Sequence, residues 1–463
     1  MADVECGDLP PLWKSLSATR LFKKRLQRRP VAALHKLPCA ALNCYRGRVQ
    51  NNSLAVGDIL EVQTERLAYG GETVARHEGF AIFIPFAAPG ERLRVRIIER
   101  KPSFARAVIE DLLEPSPERR APRCGYFGQC GGCQLQHLNY PAQLEAKAGF
   151  VRDALVRVGK IDWSREIKVH HADEYGYRAR AQVKLEAAES DSPSRYRVGF
   201  NRIGSHAICD VESCPILVPE LDAALGKLRA VVNAPDTEGA SPDASPFANL
   251  QEIDIAAGDA GIAVEPPLSN LPSGTLQRTI GGLVYRFSPS TFFQANPLLL
   301  EVLVAEAVGK KEGALAIDLY AGVGLFTLPL ARRFRKVIGV ESDKTAARFA
   351  SENIAANKLA NAEFYHARVE QWLASRIKFQ RAKSKSGPDL LLLDPPRAGA
   401  SAAIARIAEL RPERIVYVSC DPTTLARDLR RLIDLRFKLE RVSAIDLFPQ
   451  TYHIETVAQL RRA

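Results

Sequence analysis

The sequence predicts an α/β protein built on an open, mostly parallel sheet. A small β-barrel precedes it, followed by a central α+β region with a cysteine cluster. Three observations lead there. From residue 286 onward, short apolar strands alternate with helical segments, the pattern of a parallel sheet covered on both faces. Residues 53–112 break into short strands punctuated by Gly70-Gly71 and Pro89-Gly90, turn chemistry that suits a small closed barrel. Between the two, Cys124, Cys130, Cys133 and Cys214 lie near Gly and Pro.

Composition sets the outer bounds. The 463 residues are 46% hydrophobic and 25% charged, which excludes wholesale disorder, a collagen-like repeat and a disulfide mini-scaffold. The formal charge is +11, a balance that favours a polyanionic partner. Residues 1–50 hold ten Lys/Arg against three acids, a net +7. Residues 1–52 are therefore set apart as a basic extension: a disordered arm, a transit peptide or an over-extended gene model. No apolar run approaches the roughly 18 residues of a membrane span. Nine cysteines, an odd number and unevenly spaced, point to a metal site and a reactive thiol rather than a disulfide framework. A cytoplasmic monomer with no membrane attachment is the expectation.

Within the barrel region, strands are expected at Ile59–Val62, Gly79–Ile84, Arg92–Ile98 and Ala105–Leu112. The period of two in Arg92–Ile98 puts Arg92, Arg94 and Arg96 on one face and Leu93, Val95 and Ile97 on the other. Such a basic face either meets nucleic acid or is simply solvated. The central region, 113–285, starts with an irregular Cys- and Gly-rich loop at 118–134. A helix over 140–160 follows, then strand-like alternation from Tyr177 to Asp210, then a flexible loop at 235–247. In the last region, 286–463, the strands are Ala314–Tyr320, Lys336–Glu341, Leu390–Asp394 and Arg414–Ser419. Helices such as Lys344–Asn357 and Thr423–Leu432 lie between them. Ligands of such sheets bind beyond the carboxyl ends of the strands.

The chemistry-bearing residues sit at those ends. After the first strand comes Asp318-Leu-Tyr320-Ala-Gly322-Val-Gly324, whose glycines allow a tight turn and close approach to a ligand. Glu341 ends the next strand, 19 positions after Gly322, where a carboxylate can accept both ribose hydroxyls. The third glycine of a dinucleotide fingerprint is missing, because residue 327 is Thr. A phosphate-free nucleoside ligand fits better, and S-adenosylmethionine is one. Asp394 opens Asp394-Pro-Pro-Arg397 at another strand end. Cys420 lies between a strand and a helix N-terminus, a position that favours thiolate. Glu455 precedes an apolar strand-like tail; partly desolvated beside a cleft, it could serve as a base. A surface Glu on an edge strand is the plainer alternative.

A methyl donor, a thiolate and a base together are what methylation of a pyrimidine at C5 requires. Thiolate addition at C6 activates C5, which takes the methyl. The base then removes the C5 proton and the thiol is eliminated.

These residues resemble the RNA uracil-C5 methyltransferases over about 410 residues, from the barrel to the C-terminus. The matching motifs are Ser290-Thr-Phe-Phe-Gln294-Ala-Asn296, Asp318 to Phe326, Asp394-Pro-Pro-Arg397, Ser419-Cys420-Asp421-Pro and His453-Ile-Glu455-Thr-Val. The resemblance implies a Rossmann-like methyltransferase domain, an RNA-binding TRAM barrel and RNA, ribosomal rather than transfer, as partner. It implies that Gln294, Tyr320, Glu341 and Asp394, with the turn glycines Gly322 and Gly324, contact S-adenosylmethionine. Cys420 would be the nucleophile and Glu455 the base. Basic side chains of the barrel and of Tyr177-Arg178-Ala-Arg180 would hold the RNA backbone. Leu325 stands where many relatives carry Asn.

The x5–x2 spacing of Cys124, Cys130 and Cys133, joined by Cys214, suits four thiolates on zinc or on an iron–sulfur cluster. The resemblance implies [4Fe-4S], as in the ribosomal-RNA branch, with zinc the lesser alternative. Cys209 competes with Cys214 for the fourth place; the Cys-Pro-Ile context favours Cys214. The rival functions are a transfer-RNA uridine methyltransferase, a non-catalytic iron–sulfur RNA-binding protein and a radical methylase. The last lacks its Cys-x3-Cys-x2-Cys pattern here.

Overall fold

A computed structural model describes residues 54–188, 194–234, 247, 249–383 and 387–463. The basic extension and nearly all of the expected loop at 235–247 lie outside the described residues.

Five strands close a barrel: β1 (Ile59–Leu67), β2 (Glu72–His77), β3 (Phe80–Pro85), β4 (Arg92–Arg100) and β5 (Phe104–Glu114), in the order β1-β2-β3-β5-β4. The alternation read in β4 holds: Leu93, Val95 and Ile97 are fully buried in the barrel core. The opposite face departs from the expected RNA-holding stripe. Arg92 pairs with Glu61 and Glu114, Arg94 with Glu61 and Asp111, and Arg96 with Glu110. Three arginines facing four carboxylates offer phosphates no net attraction. The pairs are about half exposed, so each adds little stability. The double variant Arg94→Ala/Arg96→Ala is therefore expected to keep RNA affinity within about twofold and to leave its salt dependence unchanged. A salt-titrated binding curve whose slope falls by about one per arginine would reverse this reading.

The central region starts with α1 (Tyr140–Asp153), capped by Asn139, whose side chain accepts from the Ala142 N–H. The chain winds on through a wider turn at Ala154–Val158 and a short strand, β6 (Lys168–His170). A five-stranded sheet follows, made of β7 (Arg180–Ala187), β8 (Tyr196–Asn201) and β9 (Ile208–Asp210) with β10 (Glu252–Ala257) and β11 (Ile262–Glu265), in the order β11-β10-β7-β8-β9. Helix α2 (Pro219–Val232) covers it, burying Leu221, Leu225 and Leu228. A hairpin of β12 (Leu276–Ile280) and β13 (Leu283–Phe287) then packs Tyr285 and Phe287 into the core of the last region.

That region contains α3 (Leu300–Val308), β14 (Gly313–Leu319), α4 (Thr327–Ala331), β15 (Phe334–Glu341), α5 (Lys344–Ala356), β16 (Ala362–His366), α6 (Val369–Lys383), β17 (Leu390–Leu393), α7 (Ile404–Glu409), β18 (Arg414–Ser419), α8 (Pro422–Asp434), β19 (Phe437–Ile445) and β20 (Glu455–Arg462). Its eight-stranded sheet has the order β16-β15-β14-β17-β18-β20-β19-β6. The first five are parallel, β20 runs antiparallel between β18 and β19, and β6 is lent by the central region. Apolar cores lie on both faces, and the four leucines of β17 are buried, as a central parallel strand requires. The strand order reverses at β14, so the cleft for a ligand lies past the carboxyl ends of β14 and its neighbours. Because β20 is antiparallel, its first residue, Glu455, lies at that same edge.

Candidate functional site

The strand ends build the site. Tyr320 follows β14 with φ of 60°, a conformation that costs a non-glycine residue strain and is kept where the surroundings enforce it. Its hydroxyl donates to Glu370 Oε1 at 3.4 Å. The next turn needs its glycines. Gly322 (φ 54°) has nothing within 4 Å of where a Cβ would stand, so its backbone faces open space. At Gly324 (φ 93°) a Cβ would sit 2.8 Å from Leu328. Glu341, ending β15, accepts from the N–H groups of Gly322 at 3.0 Å and Asp343 at 2.8 Å. Asp318 is fully buried; Thr327 donates to its Oδ2 at 2.6 Å, and its Oδ1 has no partner. Gln294 lies 9% exposed before the 3-10 turn at Pro297–Leu299. A buried orphan oxygen, a carboxylate on a strand end and an open glycine turn fit a nucleoside ligand without phosphates. Leu325 packs into the core instead of presenting a polar group.

Carboxyls continue from this pocket toward the thiol. Burial pushes Asp318 up to about 7, with Glu341 adding to the rise. Burial and then Asp318 push Asp394 up to about 8. Burial raises Glu455 well above the ordinary carboxylate range; Asp394 raises it further and Arg397 opposes. Glu455 is 3% exposed and its Oε1 has no partner. It is thus an interior acid on an interior strand, not a surface residue on an edge. Asp394, read from the sequence as a cofactor contact, also lies close enough to Glu455 and Cys420 to act on both.

Cys420 is partly exposed after β18. Burial and the nearby Glu455 push its thiol up to about 11, while the charge of Arg397 pulls it down. Asp421 caps α8 by accepting from Thr423 N–H at 2.9 Å and Thr424 N–H at 2.8 Å. Arg397 Nη2 stands 3.4 Å from His453 Nε2. Nothing in the sequence sets Arg397 apart from the rest of its motif; its influence on the thiol depends on two strands meeting side by side.

The loop that delivers Glu455 is held from the central region. The Lys147 ammonium and Asp446 form a fully buried ion pair at 2.6 Å, and Tyr140 also donates to Asp446 at 3.0 Å. Gln450 (φ 67°) is fully buried. Its carbonyl accepts from Gln134 and Leu135 N–H at 2.9 and 3.0 Å, and its N–H donates to Gln143 at 3.0 Å. Tyr177, which opens the stretch whose arginines are expected to hold RNA, is fully buried and donates to the Pro449 carbonyl at 2.8 Å.

Cys124, Cys130, Cys133 and Cys214 line one cavity of about 360 Å³ together with Arg178 and Arg202. Burial pushes Cys133 up to about 12 and Cys214 up to about 11. Gly132 N–H points at Cys130 Sγ, 3.4 Å away. Cys209 is 2% exposed and belongs to the apolar core beside α2. Among the described residues no group of three or more His, Cys, Asp or Glu is arranged to hold one metal ion. Also among them, no helix is long and apolar enough to cross a membrane. The Gly-Gly turn between Cys130 and Cys133 leads straight into the N–H groups that hold Gln450.

Exposed Phe292, 66% accessible, precedes Gln294 by two residues, and the Arg180 guanidinium lies 5.8 Å from its ring centre.

Comparison with known proteins agrees with this geometry. A family profile described as tRNA (Uracil-5-)-methyltransferase matches residues 272–463, and the TRAM domain profile matches residues 54–109. The 23S rRNA (uracil(1939)-C(5))-methyltransferase RlmD of Cronobacter sakazakii is 35% identical over 434 residues, 88% of this chain and 96% of that protein. Its namesake from Vibrio parahaemolyticus is 33% identical, covering 87% of this chain and 96% of the relative. Among solved structures, the Pyrococcus abyssi tRNA (uracil-54, C5)-methyltransferase in complex with S-adenosyl-L-homocysteine matches with a TM-score of 0.64 and 25% identity. That match covers 87% of this chain and all of the other.

Proposed function

This chain belongs to the RNA uracil-C5 methyltransferase family, and from that premise we propose that it methylates C5 of a uridine in large-subunit ribosomal RNA through a covalent adduct on Cys420. The observation that carries the mechanism is the meeting of Cys420, Asp394, Arg397 and Glu455 at one edge of the sheet. The ribosomal target rests on the relatives' shared assignment.

Bound S-adenosylmethionine supplies an electrophilic methyl group. Gly322, Gly324, Glu341, Tyr320 and Gln294 would hold it past the end of β14, with Asp318 beneath the turn. The charge of Arg397 opposes burial and favours the thiolate of Cys420. The sulfur bonds to C6 of the uracil, and the C5–C6 π pair moves onto C5 and O4. C5 then takes the methyl while the sulfonium's carbon–sulfur bond breaks, leaving S-adenosylhomocysteine. Glu455 accepts the C5 proton, the C5–C6 double bond reforms, and the C6–S bond breaks to return the thiolate. A carboxylate whose pKa is raised is a stronger base for that proton. To reach Cys420 the uridine must leave its stack, and exposed Phe292 under Arg180 offers it an aromatic surface.

The four cysteines around one cavity would hold a [4Fe-4S] cluster. Sulfurs on a single tetrahedral ion sit within about 4 Å of each other, whereas a cube of iron and sulfide keeps its thiolates further apart. Burial alone holds these groups as neutral thiols, so a cationic centre is what would make them thiolates. Its part would be structural, fixing the turn whose N–H groups hold Gln450.

Two experiments test this reading. Purified enzyme, S-adenosylmethionine and unmodified 23S rRNA should yield 5-methyluridine at one position; a product in transfer RNA alone would shift the assignment to the rival branch. Anaerobically prepared protein should be brown with about four iron atoms per chain, lost in Cys133→Ser; a colourless protein with one zinc would refute the cluster.

A further inference from the structure

Tyr69 belongs to the turn between β1 and β2 of the barrel, yet its side chain meets the catalytic loops. Its hydroxyl donates to Asp421 Oδ2 at 3.3 Å. Its ring meets Tyr452 edge-on, with centres 5.4 Å apart at 88°. On another side it packs against Phe150 of α1, 5.9 Å away at 73°.

The contacts with Asp421 and Tyr452 each lead to a reacting group. Asp421 follows Cys420 directly. Its Oδ1 is engaged by the first N–H groups of α8, so Oδ2 is the oxygen left for Tyr69. Tyr452 stands three residues before Glu455 and packs on His453 with ring centres 4.2 Å apart. His453 in turn faces Arg397, whose charge favours the Cys420 thiolate. Burial and the charge of Asp421 raise the phenol far above its ordinary value, so the hydroxyl stays protonated and acts as a donor.

The reaction is sensitive to this arrangement. The thiolate must attack C6 while the base addresses the proton on the adjacent C5. A misplacement of about 1 Å can cost about 100-fold in such a site. We propose that Tyr69 is a positioning residue, supplied by the barrel, that sets the Cys420–Asp421 loop against the Tyr452–Glu455 loop. This inference rests on the covalent roles of Cys420 and Glu455. It makes the seating of the barrel and the alignment of the catalytic pair parts of one mechanical unit.

The test measures three things for Tyr69→Phe, Tyr69→Ala and Cys420→Ala: the single-turnover rate of adduct formation on 5-fluorouridine-substituted RNA, RNA affinity, and Tm. Tyr69→Phe keeps the ring and loses one hydrogen bond, so its rate should fall about 3- to 10-fold. Tyr69→Ala should lose about 100-fold. RNA affinity should stay within about twofold in both, as a positioning role demands. Wild-type adduct rates in both Tyr69 variants, with Cys420→Ala silent, would overturn the inference alone. So would a rate loss matched by an equal loss of RNA affinity, which would make Tyr69 an RNA contact. An adduct in Cys420→Ala would overturn the mechanism beneath it. If Tyr69→Ala fails to fold, Tyr69→Phe, with its ring packing intact, decides the matter.

Discussion

Cys420→Ala is expected to bind S-adenosylmethionine and RNA as the native enzyme does and to transfer no methyl group. Uracil C5 is too weak a nucleophile to attack the methyl without prior addition at C6, so no partial route remains. The loss should exceed about 10³-fold in kcat, with little change in KM, because the lost interaction exists only after the ground state. The fold should tolerate the change. The side chain is small and partly exposed, and the turn it occupies is fixed by Ser419 and Asp421, which bond to each other across it. Cys420→Ser is a stricter form of the same test. A hydroxyl at that position is far harder to ionise than the thiol, and Arg397 cannot close that gap. Tritium release from [5-³H]uridine RNA, measured beside methyl incorporation, should fall to background in both variants.

Glu455→Gln should be equally inactive in turnover but fail at a later step. Addition to C6 and methyl transfer precede the removal of the C5 proton, so the variant should accumulate RNA bound to protein. A loss of about 10²- to 10⁴-fold is what a positioned base is worth. The pH dependence follows from the raised carboxyl. Glu455 works only as a carboxylate, and burial with Asp394 beside it lifts its pKa well above the usual range. The native rate should therefore still climb with pH above the range where an ordinary carboxylate is fully ionised, a limb that Arg397→Ala would push to still higher pH. Stability runs the other way. An unfolded glutamate loses its proton at about 4.3. Between that value and the raised folded one, the unfolded chain binds fewer protons than the folded one. Stability contributed by this group is thus present at low pH and lost as pH rises through the window. Glu455→Gln removes that penalty, and above the ordinary carboxylate range its Tm should be higher than native. An inactive variant that is also more stable is the signature of a base held in an unfavourable setting for function.

The parts of the site visible in the sequence are those that local pattern encodes. Asp394 and Cys420 each follow a short apolar run and precede Pro-rich or helix-capping residues, so their place at a strand end is written within ten residues. Gly322 and Gly324 announce their turn in the same way. Other parts depend on distant pairing. β20 inserts antiparallel between β18 and β19, and only that insertion turns Glu455 from the start of a tail into an interior acid. β2 escaped notice because its six residues carry charges at both ends and no clean alternation. The arginine face of β4 is legible in the sequence, but the acids that pair with it come from β1 and β5, so its charge balance is not. Tyr177 opens a basic stretch with no local sign of its own role; its hydroxyl serves the loop before Glu455. Tyr69 gave no signal, since a tyrosine in a hairpin turn is ordinary until the turn is docked against another domain.

On the proposed mechanism, catalysis passes through a bond between Cys420 and the pyrimidine ring. The direct measurement is mass spectrometry of the protein after reaction with S-adenosylmethionine and an RNA carrying 5-fluorouridine at the target. There the C5 fluorine cannot leave as a proton does, so elimination is blocked. The peptide containing Cys420 should carry the nucleotide and the transferred methyl, in stoichiometric amount and resistant to denaturation. Methylated RNA with no modified peptide, or with the nucleotide on a different cysteine, would contradict it.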